Sequence, residues 1–163
     1  MSRRANSFSV KSDTNCNAFF SPQPYIKNVM RGEIMGLVTA RIILKNPRQE
    51  ELKEISVDAL VDTGALHLCV PERIAIQLNL KELYKRDVTT ADGKEHLCSY
   101  VGPIEVKFEN RGCFTGAIVL GDEVLLGAVP MEDMDVLVSP AERKLMVNPK
   151  SPNIASSVAK GLK

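Results

Sequence analysis

The sequence predicts a mostly-β domain, folded as a closed or nearly closed barrel with one or two short helices. Its apolar stretches are short and rich in Val, Ile, Leu and Phe, as strands require. Turn formers separate them, at Asn46-Pro47, Asp92-Gly93 and Asn110-Arg111-Gly112. The clearest helical stretch, Pro71-Glu72-Arg73-Ile74-Ala75-Ile76-Gln77-Leu78, opens on proline and sets Ile74 and Leu78 four apart on one face.

The elements follow in order. Residues 1–34 are rich in Ser, Asn, Pro and Lys, and Ser21-Pro22-Gln23-Pro24 would interrupt a helix or central strand. A flexible N-terminal extension is expected there, with Phe19, Phe20 and Tyr25 as local anchors and Met30 and Met35 as alternative translation starts. Gly36 to Leu44 reads as the first strand, stopped by Lys45-Asn46-Pro47-Arg48. Glu54 to Asp62 starts by alternating (Ile55, Val57, Ala59, Val61) and becomes continuously apolar as it enters the core. Leu66 to Val70 follows the break at Gly64, and the helix comes next. Val88-Thr89-Thr90 and Glu95 to Tyr100 form a hairpin about Asp92-Gly93; Ile104 to Phe108 and Phe114 to Leu120 form a second. Val124-Leu125-Leu126-Gly127 is a short strand, and Met134 to Val138 pairs with Lys144 to Val147. The folded domain is thus expected over 35–148, with 149–163 as a flexible C-terminal tail.

Composition excludes several classes of function. Hydrophobic residues at 44% and charged residues at 25% are the balance of a soluble globular chain, not of a disordered one. A formal charge of +1 offers no general polyanion-binding face, and aromatics at 5% with no Trp supply few stacking platforms, so no nucleic acid is expected as a partner. No apolar run approaches the ~20 residues needed to span a bilayer, so no membrane is expected either. The basic start, Met1-Ser2-Arg3-Arg4, runs into polar residues where a signal peptide needs an apolar core. Four scattered cysteines, at 16, 69, 98 and 113, do not make a disulfide scaffold. The expected location is cytoplasmic.

Asp62-Thr63-Gly64-Ala65 carries the most chemistry. Directly after Ala59-Leu60-Val61, Asp62 places a carboxylate at the end of a buried strand, where ionisation is costly without partners. Thr63 supplies a hydroxyl, and Gly64 permits a tight turn. The tripeptide alone also reads as an Asx-type turn at a strand end. In context, Ala59-Leu60-Val61-Asp62-Thr63-Gly64-Ala65 resembles the active-site motif of retropepsin-type (clan AA) aspartic proteases. Thr90-Ala91-Asp92-Gly93 matches the family's flap turn, and Leu125-Leu126-Gly127 matches its two apolar residues and Gly before a short helix. The resemblance spans 36–148 and is greatest to small single-domain prokaryotic members with a segment like Gly127-Ala128-Val129-Pro130-Met131-Glu132-Asp133-Met134-Asp135.

The resemblance implies a retropepsin-like acid-protease barrel and an aspartic-type endopeptidase, a hydrolase acting on extended polypeptide segments. That chemistry needs two carboxylates around one water, one ionised as base and one protonated as acid. Since the chain holds one Asp-Thr-Gly, the second aspartate has to come from another copy, which implies a homodimer and a pair of acids sharing a proton. Asp62, Thr63 and Gly64 would be the catalytic set, Asp62 as the carboxylate, Thr63 bonding across the dimer and Gly64 turning the chain. Ala65 would line the cleft, and Ala91, Asp92 and Gly93 would close over a bound peptide. Leu125, Leu126 and Gly127 would support the loop. Two departures stand out: Ala65-Leu66-His67 lacks the acidic residue common after the motif in retroviral members, and Ala128 stands where they commonly carry Arg. The flap turn is also poor in glycine.

No cofactor is expected. His67-Leu68-Cys69 and His96-Leu97-Cys98 could form a two-His, two-Cys zinc set if their strands were neighbours; otherwise Cys69 and Cys98 are small core residues. No Gly-x-Ser-x-Gly elbow and no phosphate-cradling glycine loop occurs. Glu132, Asp133 and Asp135 read as a solvated or dimer-facing surface. The rival function is a non-catalytic dimeric barrel that binds peptides or regulates through the same fold.

Overall fold

The computed structural model describes residues 37–158. The extension expected over 1–34 lies outside the described residues. Nine strands and two short helices follow in order: β1 (Val38–Lys45), β2 (Ile55–Val61), β3 (Leu68–Val70), α1 (Glu72–Gln77), β4 (Lys81–Thr89) and β5 (Glu95–Phe108). Then come β6 (Arg111–Val119), β7 (Val124–Leu126), α2 (Ala128–Asp133), β8 (Val136–Ser139) and β9 (Lys144–Val147). The main sheet runs β1-β2-β7-β3-β6-β5-β4, and β1 also pairs with β5. That last pairing, Ile43↔Lys107 to Lys45↔Glu105, closes six strands into a barrel and leaves β4 attached outside the ring on β5. The mostly-β, closed-barrel expectation holds, with two short helices.

Period-two patterning explains the inward faces. In β1 the side chains of Val38, Ala40, Ile42 and Leu44 are buried and alternate with more exposed ones. Ile42, Leu44, Leu68, Val70, Ile104, Val106 and Leu126 meet inside the barrel, and Leu78 and Met134 join them from outside the strands. Truncating such a side chain costs about 2–5 kcal/mol. The exposed Arg41–Asp58 pair at 2.7 Å is worth at most ~1 kcal/mol despite its two-pronged geometry. The core, then, holds the barrel together. Buried Asn46 ties the β1 turn to the end of α1 by donating to the carbonyls of Leu78 and Asn79.

Three details depart from the sequence reading. Pro71 is the extended residue before α1, not its first helical position, so its fixed φ of −61° sets the entry instead. β4 starts at Lys81, well before Val88, because its backbone pairs with β5 although its side chains are nearly all exposed. Residues 95–100 and 104–108, read as parts of two hairpins, form one long strand, with the register shifting between Val101 and Ile104. Among the described residues, no helix is long and apolar enough to cross a membrane.

Beyond β9 the chain folds back on Asp135. The Asn148 side-chain amide donates to Oδ1 at 2.8 Å; the Ser151 hydroxyl and the Ser156 N–H donate to Oδ2, the latter at 2.8 Å. Buried Arg111 donates to the Ser151 carbonyl. Residues 151–156, within the stretch read from sequence as a loose tail, are therefore hydrogen-bonded to the domain. Of the acidic trio, Glu132 and Asp133 are exposed and Asp135 alone takes this role.

These bonds, Ser151 first, then Ser156 and Asn148, lower the Asp135 carboxyl from 3.8 to about 2. A carboxyl depressed on folding stabilises above its unfolded pKa, and here that contribution disappears as pH falls through about 2. Asp135→Ala is expected to speed amide exchange at 151–156 at neutral pH with the barrel still protected. Acidifying the unaltered protein toward pH 2 should lower the protection factors of the same amides, measured against the slower intrinsic exchange at that pH. Hydrogen exchange by mass spectrometry checks both; unchanged protection in the variant would remove Asp135 as the clamp.

Candidate active site

The site is built where the chain leaves β2. β2 runs parallel to β7 with Ala59↔Val124, Leu60↔Leu125 and Val61↔Leu126, and the Asp62 N–H donates to the Leu126 carbonyl at 3.1 Å. Pairing thus persists to Asp62 itself, which fixes the backbone from which the carboxylate springs. The chain then turns. Asp62 Oδ1 accepts from the Gly64 N–H at 2.8 Å, and the Ala65 N–H donates to the Asp62 carbonyl at 3.3 Å. Asp62 is half-buried, Thr63 and Gly64 are exposed, and Ala65 is half-buried.

The loop next crosses the end of β7. Ala128 N–H donates to the Ala65 carbonyl at 2.8 Å and Val129 N–H to the Leu66 carbonyl at 3.0 Å, after which β3 returns antiparallel to β7 at Cys69↔Leu125. β7 is therefore threaded between β2 and β3. Gly127 is what lets the two backbones meet: a Cβ there would stand 2.3 Å from the His67 carbonyl oxygen and 2.8 Å from that of Ala65. Of the three residues expected to support the loop, Leu126 accepts the Asp62 N–H, Gly127 gives the close approach, and Leu125 pairs with Leu60 and Cys69.

The electrostatics are simple. Among the described residues no cation pairs with Asp62, and the Thr63 hydroxyl makes no hydrogen bond. Asp62 lies close enough to the Cys69 thiol to act on it: burial, and then the Asp62 charge, push that thiol up to about 11. Cys69 is thus a protonated neighbour of the carboxylate at neutral pH, not a nucleophile.

Ala91, Asp92 and Gly93 form the exposed tip of the β4–β5 hairpin and make no hydrogen bond to residues 62–65. Thr90 and Lys94 close the tip through a 2.9 Å backbone bond, and Gly93 takes the positive φ (79°) that ends the turn. The Asp92 carboxylate is satisfied within the turn, by the Lys94 ammonium at 2.7 Å, the Thr90 hydroxyl at 2.5 Å and the Lys94 N–H at 3.3 Å. Lys94 first, then Thr90, hold it far below the usual carboxylate range. A tip that fastens itself needs few glycines.

Sequence reasoning missed one cluster. Tyr84 stacks on Tyr100 (ring centroids 6.1 Å apart), Arg86 lies 4.5 Å above the Tyr100 ring, and His67 meets that ring edge-on at 5.7 Å. The Tyr100 ring occupies the space a Gly116 Cβ would need, 2.4 Å away. The signal was the hairpin register: counting back from Asp92-Gly93 sets Tyr84 opposite Tyr100 and Arg86 opposite Cys98. The zinc alternative fails on adjacency, because β6 lies between β3, next to His67 and carrying Cys69, and β5, carrying His96 and Cys98. Among the described residues no three His, Cys, Asp or Glu side chains are grouped to hold a metal.

No protein-family profile matches the chain, and no curated protein matches it by sequence. Among solved structures, the EIAV protease complexed with the inhibitor HBY-793 is similar at 16% identity with a TM-score of 0.48, over 64% of this chain and 93% of that one. The fold assignment stands on this chain's own strand pairings.

Gly127→Ala is expected to destabilise the protein by about 1–3 kcal/mol, since backbone carbonyls rather than pliable side chains block the new methyl. Gly112→Ala, whose Cβ would meet nothing nearer than 3.6 Å, should be close to neutral. Urea midpoints at unchanged slope make the comparison; equal midpoints would show that the crossing tolerates bulk.

Proposed function

We propose that the protein is an aspartic endopeptidase, active as a homodimer in which each chain supplies one Asp62 to a shared water. The single observation that carries this reading is the Asp62 loop. A half-buried, cation-free carboxylate stands at a strand end: the Asp62 backbone N–H donates to the Leu126 carbonyl, and the Gly64 N–H donates to Oδ1. That arrangement fixes an acid without neutralising it, as general acid–base work requires. Thr63 beside it is exposed, and its hydroxyl makes no hydrogen bond among the described residues, so it is accessible to a second copy.

The proposed chemistry follows from pairing two such loops. One carboxylate takes a proton from the water as its oxygen attacks the scissile carbonyl carbon. The protonated partner donates to the carbonyl oxygen, giving a neutral tetrahedral diol. Collapse of the diol breaks the C–N bond while a proton passes to the departing nitrogen, and the pair returns to sharing one proton. No covalent enzyme intermediate forms. The β4–β5 hairpin, carrying Ala91, Asp92 and Gly93 at its tip, would lie over the peptide and exclude bulk water, while Ala65 lines the floor.

Asp62→Asn should cut peptide-library cleavage by at least about 10²–10⁴-fold while circular dichroism and sedimentation stay unchanged. Cleavage at the original rate would overturn the assignment, and peptide binding without cleavage in the unaltered protein would favour the binding-module reading. Activity should be bell-shaped in pH, failing at low pH when both acids are protonated and at high pH when both are ionised. At concentrations where sedimentation detects free monomer, the rate should fall faster than linearly on dilution.

A further inference from the structure

We propose that the body-facing side of the β4–β5 hairpin carries a carboxylate-binding subsite built on Arg86, so that peptides taken at the Asp62 site bear an acidic side chain near the bond to be cut. This deepens the proteolytic reading and rests on it.

The side the hairpin turns toward the domain is fixed by register. Tyr84↔Tyr100, Arg86↔Cys98 and Val88↔His96 are direct partners, so these six residues share one face. Cys98 is fully buried and Tyr100 lies against Gly116, so this face looks toward the domain. The opposite face carries Lys85 and Ser99, joined to each other at 3.0 Å on the solvent side. Arg86 therefore lies on the domain-facing side of the hairpin while remaining exposed, and it is anchored: its guanidinium sits over Tyr100, whose ring touches His67 on the loop that leaves Asp62.

The anchored cation is not neutralised. Arg41 has Asp58, Lys85 has Glu82, Lys94 has Asp92, Lys107 has Glu105 and Lys144 has Glu142. Among the described residues no carboxylate bonds Arg86, although it is exposed and its fork of donors is oriented by the ring beneath. Its ionisable neighbour His67 is pushed down in pKa by burial first and by Arg86 second, so it adds no competing charge at neutral pH. An oriented, unpaired guanidinium beside a partly buried neutral imidazole fits a carboxylate, which can accept two parallel N–H bonds. A peptide laid between the hairpin and the Asp62 loop would bring a Glu or Asp side chain to it.

The test has two arms, both on the full chain. In the first, a proteome-derived peptide mixture is digested by the unaltered protein and by Arg86→Gln, and cut sites are read by mass spectrometry. Acidic residues should be enriched roughly tenfold or more at one position relative to the cut, and the enrichment should vanish in Arg86→Gln while neutral sites are still cut. In the second, Asp62→Asn protein is titrated with peptide pools that are random except for one fixed Glu or one fixed Gln. The Glu pool should bind more tightly by a similar factor, and less so once Arg86→Gln is added. Cleavage with no acidic preference, or a preference that survives Arg86→Gln, overturns the subsite and leaves proteolysis standing. Arg86-dependent Glu binding with no cleavage keeps the subsite and overturns proteolysis. Dissociation of the dimer by Arg86→Gln with an unchanged cut profile assigns Arg86 to the subunit contact and overturns the subsite.

Discussion

Everything at the candidate site hangs on one close approach of main chain to main chain, where the loop after Asp62 passes the end of β7 at Gly127. The crossing satisfies backbone groups that a bare loop would leave open: Asp62 N–H on Leu126, Ala128 N–H on Ala65 and Val129 N–H on Leu66. With those bonds made, the loop cannot shift without breaking several at once, and the Asp62 carboxylate inherits that rigidity. Position is what an acid–base residue needs most, since a proton moves only across hydrogen-bonding distance. The missing side chain at residue 127 thus helps to position a carboxylate that residue 127 does not itself contact.

The barrel supplies the anvil for this crossing. β7 has only three residues, too few to be stable alone, yet it is paired on both sides, parallel to β2 and antiparallel to β3. Its Val124 and Leu126 are buried in the shared core. The long strand β5 joins the rest: its second half pairs with β6 and, at 105–107, closes the ring on β1, while its first half carries β4 out as the hairpin. One strand thereby belongs to both the rigid core and the exposed arm, so Tyr100 and Arg86 can be held in register with His67 across an otherwise solvent-exposed structure.

Most of the barrel was legible in the sequence because burial leaves a period of two. Val38, Ala40, Ile42 and Leu44 announce β1, and the Asp92-Gly93 turn announces the hairpin. The Asp62 loop was legible as a motif, and Gly127 as its companion. Other features were not. Lys81 to Asp87 carries an exposed, charged surface, so no hydrophobic alternation marks it as a strand; it is held on β5 by backbone pairing and by polar and aromatic cross-strand contacts. The Tyr100 contact with His67 joins residues far apart in the chain, and the space above Gly116 that admits the ring has no local signature. The zinc alternative failed for a related reason: two identical His-Leu-Cys triplets say nothing about which strand lies between them.

Closing the ring at β1 and β5 also determines where the molecule stays vulnerable to its own copies in concentrated solution. β4 hangs from β5 with an outer edge that has no partner among the described residues, and such an edge invites stacking into fibrils. Lys81, Glu82, Lys85, Arg86 and Asp87 populate that strand, so a second β4 laid alongside would force ionised groups out of water with every added layer. The strand that was hardest to read from its residues is, for the same reason, poorly suited to seeding amyloid.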